Sequence, residues 1–438
     1  MLVLKSFAFA SNRGGIGKTT TVVQLAASYA ASHTEVNVLL VDFSIHGDAT
    51  SLLLGGTQAP DKFIKGIHTL GQQRARDVAK HEPHRTAAGL VQAALSHAQT
   101  VPALADHMSR MTLHGFARGI FGGAKKPQAA APTKLDFKDH CVNVTETTKE
   151  DAPANLFITP SFVSSEDDIS ALELALLDAD ATCGCKSTAW EQAIEPMRKA
   201  MTDTSGDWVL FFDTDAELVE RAPSRLALTV ADKAVMMLSS DWRAYIRLMA
   251  DARNGLFHFL STMQKKGKPF ARICMMLMNN VEKRSMEPIG FKDSVFETPE
   301  GKHVAVVMVP MRFTPTKDIL FEISTIAEHV FDNQVKLKEY HPLWSLEVMN
   351  TIKPFCSKYF DALPKYTGSI DLITNGTGIP ITSLVHTRVY EIESGITGVG
   401  KRKQEKLELD TLNFHKSALN HTVNLLHEAY DLSPSREV

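Results

Sequence analysis

Cysteine is scarce in this chain. Cys141, Cys183, Cys185, Cys274 and Cys356 are the five among 438 residues, and they form no ladder of a secreted disulfide scaffold. Cys183 and Cys185 stand either side of one glycine, the wrong spacing for a zinc knuckle or a thioredoxin-type CxxC, so the cysteines read as structural. Long hydrophobic runs are also missing: none reaches the roughly 18 to 20 apolar residues needed to span a bilayer. Neither charge is in real excess. Lys and Arg number 47 against 50 Asp and Glu, a formal charge of −3. Any contact with nucleic acid must therefore come from a local basic patch. What remains is ordinary for a soluble globular protein: 44% apolar and 22% charged residues. The length allows one large α/β domain or two smaller ones, and the expected compartment is the cytosol.

The opening run MLVLKSFAFA leads straight into SNRGGIGKTT at 11–20, so it reads as the strand feeding a glycine-rich loop rather than as a signal peptide. The loop is the G-G-x-G-K-T variant, Gly14-Gly15-Ile16-Gly17-Lys18-Thr19, followed by Thr20 and an alanine-rich amphipathic helix. Glycine clusters also make plain turns, but the strand–loop–helix setting points to a phosphate cradle. Glycines reach positive φ, so that successive N–H groups face an anion, and the helix presents its positive end to it. Lys18 is then placed for the β- and γ-phosphates and the Thr19 hydroxyl for Mg2+. A second strand, Val36–Val41, ends at Asp42, and a third, Trp208–Phe212, delivers Asp213. Carboxylates at strand ends lie where open α/β sheets bind ligands, and Asp213 suits a Mg2+ held through water.

With these residues in place, the stretch Asn12–Leu54 resembles the ParA/MinD family, whose K-G-G-x-G-K-T-T, helix, V-L-L-V-D-x-D-P-Q-G-N-A-T block it follows almost without gaps. Asn155–Ser161, Trp208–Thr214, Ala231–Val235, Gly378–Ile381 and a final helix near 411–430 resemble later family segments in the same order. The resemblance, together with apolar strands near 156–159, 208–212, 234–238, 273–278 and 304–309, implies a predominantly parallel, twisted α/β sheet flanked by helices. It further implies ATP and Mg2+ as cofactors, bound by Gly14 to Thr20 with Thr19, Asp42 and Asp213 at the metal. The partners it implies are a homodimer closed through ATP, nonspecific DNA and a ParB-like activator, in plasmid or cargo positioning. Either Asn279 or Asn280, ending the strand ICMMLM, would meet the base, although asparagine there is also a turn former. Iron–sulfur relatives are disfavoured, because no cysteine closely follows the Asp213 strand.

Two residues depart from the family pattern. Arg13 replaces the signature lysine that reaches the partner's phosphates; it keeps the charge and adds a bidentate fork. Ser44 replaces the second carboxylate of D-x-D. A serine carries no charge to take the attacking water's proton, so binding is expected to survive while hydrolysis slows. Arg13, Lys18, Asp42 and Ser44 form the expected catalytic set, with Asp48 a weaker substitute for the missing acid.

The remaining organisation reads as follows. Residues 1–56 and 151–334 make the nucleotide-binding core; 57–150 is an insertion, helical with a linker near 122–134; 335–370 is a second insertion. Residues 371–438 supply a closing strand at Gly378–Ile381 and the C-terminal helix. The basic, apolar segment Leu104–Lys126 suits a lid packed on the domain, or else a membrane-surface or partner-binding helix. The C-terminus lacks the basic amphipathic character of a MinD-type anchor, so membrane contact is not expected. Lys265, Lys266, Lys268 and Arg272, with Lys283 and Arg284, are the best candidates for a nonspecific phosphate-contacting face, although each run also reads, and somewhat better, as solvated surface charge.

Overall fold

The computed structural model describes residues 5–11, 14–58, 60, 68–98, 135–148, 151–162, 172–173, 175–176, 188–204, 206–215, 221–243, 245–246, 255–289, 294–297, 303–306, 309, 311–333, 351–366, 368–393 and 402–431. The apolar runs become strands Lys5–Ala10 (β1), Asn37–Asp42 (β2), Val142–Asn143 (β3), Leu156–Thr159 (β4), Trp208–Asp213 (β5), Lys233–Leu238 (β6) and Arg272–Val281 (β7). With an edge strand, Phe360–Pro364, they form one eight-stranded sheet in the order Phe360–Pro364, β7, β6, β1, β5, β2, β4, β3. Every pairing is parallel except β3 with β4. The architecture is thus a mostly parallel sheet flanked by helices.

Near-continuous apolar strands are what a sheet covered on both faces requires. Successive side chains alternate between two cores. Phe7, Phe9, Val38, Leu40, Val209 and Phe211 join one core, beneath Lys18–Ser32 (α1) and the C-terminal helix Leu409–Asp431. Ala8, Ala10, Leu39, Val41, Leu210 and Phe212 join the other, beneath the helices Ala189–Asp203, Ala222–Val230, Leu256–Lys265 and Lys317–Asn333.

Two sequence expectations are revised, both of them strands of the main sheet. Residues 57–150, expected as a helical insertion, contribute to the core where they are described. Asp48–Leu53 (α2) leads to Leu70–His81 (α3), opened by a Thr69–Gln72 capping box, and then to Ala87–His97 (α4). Leu90, Val91, Ala94 and Leu95 of α4 enter the sheet's core, and β3 closes one sheet edge. Similarly, residues 335–370 contain the opposite edge strand, Phe360–Pro364. The closing strand expected at Gly378–Ile381 is instead a left-handed helix cap at Gly378 (φ 77°) running into a 3-10 turn, Ile381–Ser383. Its apolar residues Ile379 and Ile381 are core contacts, and the Ile381 N–H donates to Gln24 Oε1 of α1 at 2.7 Å, which docks the segment on a helix rather than on the sheet. Finally, His303–Val306 pairs antiparallel with nearby Ser294–Glu297, outside the main sheet. A partner so close in sequence needs little loop closure.

Candidate functional site

The loop Gly14–Gly17 joins the C-terminal end of central strand β1 to α1. Gly15 (φ 75°) and Gly17 (φ 74°) are left-handed, a conformation that L side chains rarely adopt. Gly17 is needed for a second reason: a Cβ there would lie 2.9 Å from Asn280 Nδ2 and 3.1 Å from Asn279 Nδ2. Asn279 is buried and already committed to bracing this loop. It donates through Nδ2 to the Ile16 carbonyl at 2.6 Å and accepts from Thr21 Oγ1 at 2.9 Å. Asn280, with φ 57°, packs on Gly17 beside it. Both expected base contacts therefore sit against the phosphate loop, and Asn279 serves as its buttress.

Strands β2 and β5 bring Asp42 opposite Asp213. Both are fully buried, and the protein treats them differently. Lys18 Nζ donates to Asp213 Oδ1 at 2.5 Å and to the Thr214 carbonyl. The other oxygen, Asp213 Oδ2, is buried with no hydrogen-bond partner among the described residues. Asp42 receives four donors instead. The Ser44 N–H and hydroxyl reach Oδ1 at 3.0 and 2.6 Å, and the Thr50 N–H and hydroxyl reach Oδ2 at 2.8 and 2.6 Å. Burial, reinforced by the neighbouring Asp213 charge, still raises the Asp42 pKa against those bonds. Both Asp42 oxygens are thus spent holding the 43–50 loop, which places its metal-ligand expectation second to Asp213. Ser44 itself is turned inward: it is buried, and its oxygen also accepts from the Asp48 N–H at 3.2 Å.

A cleft of about 380 Å3 runs between these elements. Gly14, Gly15, Ile16, Gly17, Lys18, Thr19 and Thr20 form one wall, with Ser44, Ile45, His46 and Asp48 on a second, and Thr214, Asp215 and Arg221 on a third. Asp215 and Arg221 were not anticipated. Asp215 follows the same strand end as Asp213, so that position was a readable signal. Arg221 had none. Burial pushes the Asp215 carboxyl up to about 7, against the opposing Ile45 hydrogen bond and Lys18 charge. Arg13 and the segment Leu104–Lys126 lie outside the described residues.

A glycine loop at a helix N-terminus, a lysine against it and aspartates ending the adjoining strands define an α/β domain of the P-loop nucleotide-binding class. The CobQ/CobB/MinD/ParA nucleotide binding domain matches residues 7–294, and the chain belongs to that family. Two Pseudomonas putida proteins, both described only as uncharacterized, are each 54% identical to it over 46 residues. That match covers 10% of this chain and 17% of each relative's length. Among solved structures, an ATP complex of Cyanothece McdA aligns over 99% of both chains at 12% identity and TM-score 0.43. The pnob8 ParA aligns over 98% of this chain and 99% of its own, at 9% identity and TM-score 0.47. The Aquifex aeolicus MinC:MinD complex aligns over 97% and 96%, at 12% identity and TM-score 0.37. At these scores the likenesses add nothing to the family assignment.

Proposed function

We propose that this chain is a ParA-like ATP-binding protein whose ATP-bound form closes as a homodimer and positions DNA or another cargo. The observation that carries the nucleotide reading is the cleft itself, in which one wall is the glycine loop and Lys18 spans to Asp213. That lysine is the group placed to move onto β- and γ-phosphate oxygens, exchanging one anionic partner for another. The residues present also fit Mg2+: Thr19 lines the cleft, and the buried Asp213 Oδ2 has no hydrogen-bond partner among the described residues. Thr19 and Asp213 would hold the ion, directly or through water, and when bound it neutralises charge on the β- and γ-phosphates. Asp42 keeps the 43–50 loop against the site, while Asn279 keeps the phosphate loop in shape. In the dimer, Arg13 would reach the partner's nucleotide as an arginine finger does.

A second reading, a nucleotide-sensing scaffold that binds ATP and barely hydrolyses it, is favoured by the inward-turned Ser44 hydroxyl. Calorimetry and sedimentation with ATP and Mg2+ test the proposal together. Lys18→Ala is expected to weaken ATP binding by about 10- to 100-fold, the range for one charge-assisted contact. Arg13→Ala should bind ATP while losing the ATP-dependent dimer. Unchanged affinity in the first variant removes the nucleotide reading, and equal dimer fractions in the second remove the role of Arg13.

A further inference from the structure

We propose that Asp215 supplies the carboxylate that the Ser44 position lacks, orienting the water that attacks the γ-phosphate. The proposal rests on the ATP reading above. Strands β2 and β5 are paired with Asp42 opposite Asp213, so the residues two further along each chain, Ser44 and Asp215, leave the sheet side by side. Both line the cleft that Lys18 and Thr19 line. Their side chains are used in opposite ways. Ser44 is 3% exposed and donates its hydroxyl to Asp42. Asp215 is seated on the backbone one residue past it, where both carboxylate oxygens accept from the Ile45 N–H at 3.3 Å. Its own N–H donates to Ser224 Oγ at 3.0 Å, which anchors the turn from below.

An ionised carboxylate offers about four acceptor sites. The long contact with Ile45, shared between both oxygens, leaves acceptor sites over on a carboxylate that lines the cleft. The acid lost two residues past the end of β2 is therefore replaced by an acid two residues past the end of β5. Asp48 is the rival. It lines the same cleft, as the first residue of α2, and its backbone N–H donates to the Ser44 hydroxyl at 3.2 Å.

In the step proposed, the water oxygen forms a bond to the γ-phosphorus. The bond from that phosphorus to the β–γ bridging oxygen breaks, and its electron pair leaves with ADP. One water proton passes to a γ-phosphate oxygen, and the other stays on the new phosphate hydroxyl. Asp215 accepts a hydrogen bond from the water throughout and fixes its line of approach.

Single-turnover hydrolysis at saturating ATP and Mg2+, beside calorimetric ATP affinity, tests this in the full chain. Asp215→Asn keeps the shape and removes the charge. It is expected to slow turnover at least about tenfold while affinity stays within about threefold, a split that belongs to a transition-state contact. Asp215→Glu, which returns the charge, should recover most of the loss, whereas a merely structural role would not discriminate the two. Asp215→Ser replaces the Asn variant if circular dichroism finds the latter unfolded. Wild-type turnover in Asp215→Asn, or a loss confined to Asp48→Asn, overturns the assignment. A wild type that binds ATP without measurable turnover also overturns it, yet leaves the nucleotide reading standing. Failure of the wild type to bind ATP removes that reading and this one together.

Discussion

Two buried aspartates at the ends of adjoining strands repel each other, and the loop chemistry around them is arranged to contain that repulsion. Asp213 has the Lys18 ammonium at 2.5 Å. Asp42 has no ion pair among the described residues, and four hydrogen bonds from Ser44 and Thr50 do the same task. Thr50 carries two roles at once, because its oxygen also accepts from the Ser161 N–H at 2.9 Å. Thr50→Val keeps the shape and leaves both the carboxylate oxygen and the Ser161 N–H short of a partner. We expect it to cost about 1–3 kcal/mol per group left unpaired, read as a lower urea midpoint at unchanged m-value. A midpoint equal to wild type would mean that water reaches Asp42 and that the loop brace is not rigid. The same four donors explain why Ser44 was readable from sequence as a departure but not as a contact. Its position in D-x-D marks what is missing, whereas its partner two residues back depends on how the 43–50 loop folds.

At the scale of elements, the C-terminal helix Leu409–Asp431 carries a buried base. His415 is fully buried, neither ring nitrogen has a hydrogen-bond partner among the described residues, and burial with the nearby Lys283 charge pushes its pKa down to about 3. The unfolded chain binds this proton near pH 6.5 and the folded chain does not, so stability is fully present above that pH and is lost as pH falls toward 3. At pH 5 the loss amounts to about 2 kcal/mol. The raised Asp215 carboxyl works in the opposite sense over part of the same range, so the comparison must be with His415→Phe, which fills the ring's volume without a proton to bind. Between pH 7.5 and 5 the variant should lose about 2 kcal/mol less than wild type; equal losses would mean that His415 is protonated or hydrated in place. Other elements differ in how much of themselves the sequence displays. β1, β2 and β5 are apolar runs closed by a glycine loop or an aspartate, and they are legible for that reason. Phe360–Pro364 is not, because an aspartate and a proline argue against a strand. The fold tolerates both: Asp361 accepts from Thr422 of the C-terminal helix, and Pro364 ends an edge strand, where a missing N–H breaks no inner ladder. The helical character of the segment holding α4 was legible, whereas its packing on the sheet was not, because the face a helix covers depends on the partner it meets.

For the whole molecule, the parallel sheet separates two surfaces. The phosphate loop, Asp42 and Asp213 all sit at the strands' C-terminal ends. Lys265 ends the helix Leu256–Lys265 and Lys266 caps it, and with Lys268 they precede Arg272, the first residue of β7, at the opposite end. Two copies meeting over their nucleotides would leave this basic edge uncovered and would place one on each copy. Lys265, Lys266 and Arg272 are exposed, although the Lys266 ammonium lies 3.4 Å from Glu191 and must leave that weak ion pair to engage a phosphate. With a formal charge of −3 the chain as a whole does not attract DNA, so binding would rest on phosphate contacts at this edge and fall steeply with salt. The expected outcome is retention of duplex DNA that requires ATP and is indifferent to sequence. Replacing Lys265, Lys266 and Lys268 with alanine should weaken all sequences alike and flatten the slope of log affinity against log salt by about 2 to 3, since each phosphate contact contributes about 0.9. Dimerisation, followed by sedimentation, should be unchanged in the same variant, because the substituted residues lie at the far end of the sheet from the nucleotide. Retention that ignores salt would assign DNA to a different surface. No retention at low salt with ATP bound would remove DNA as the partner and leave the scaffold reading in its place.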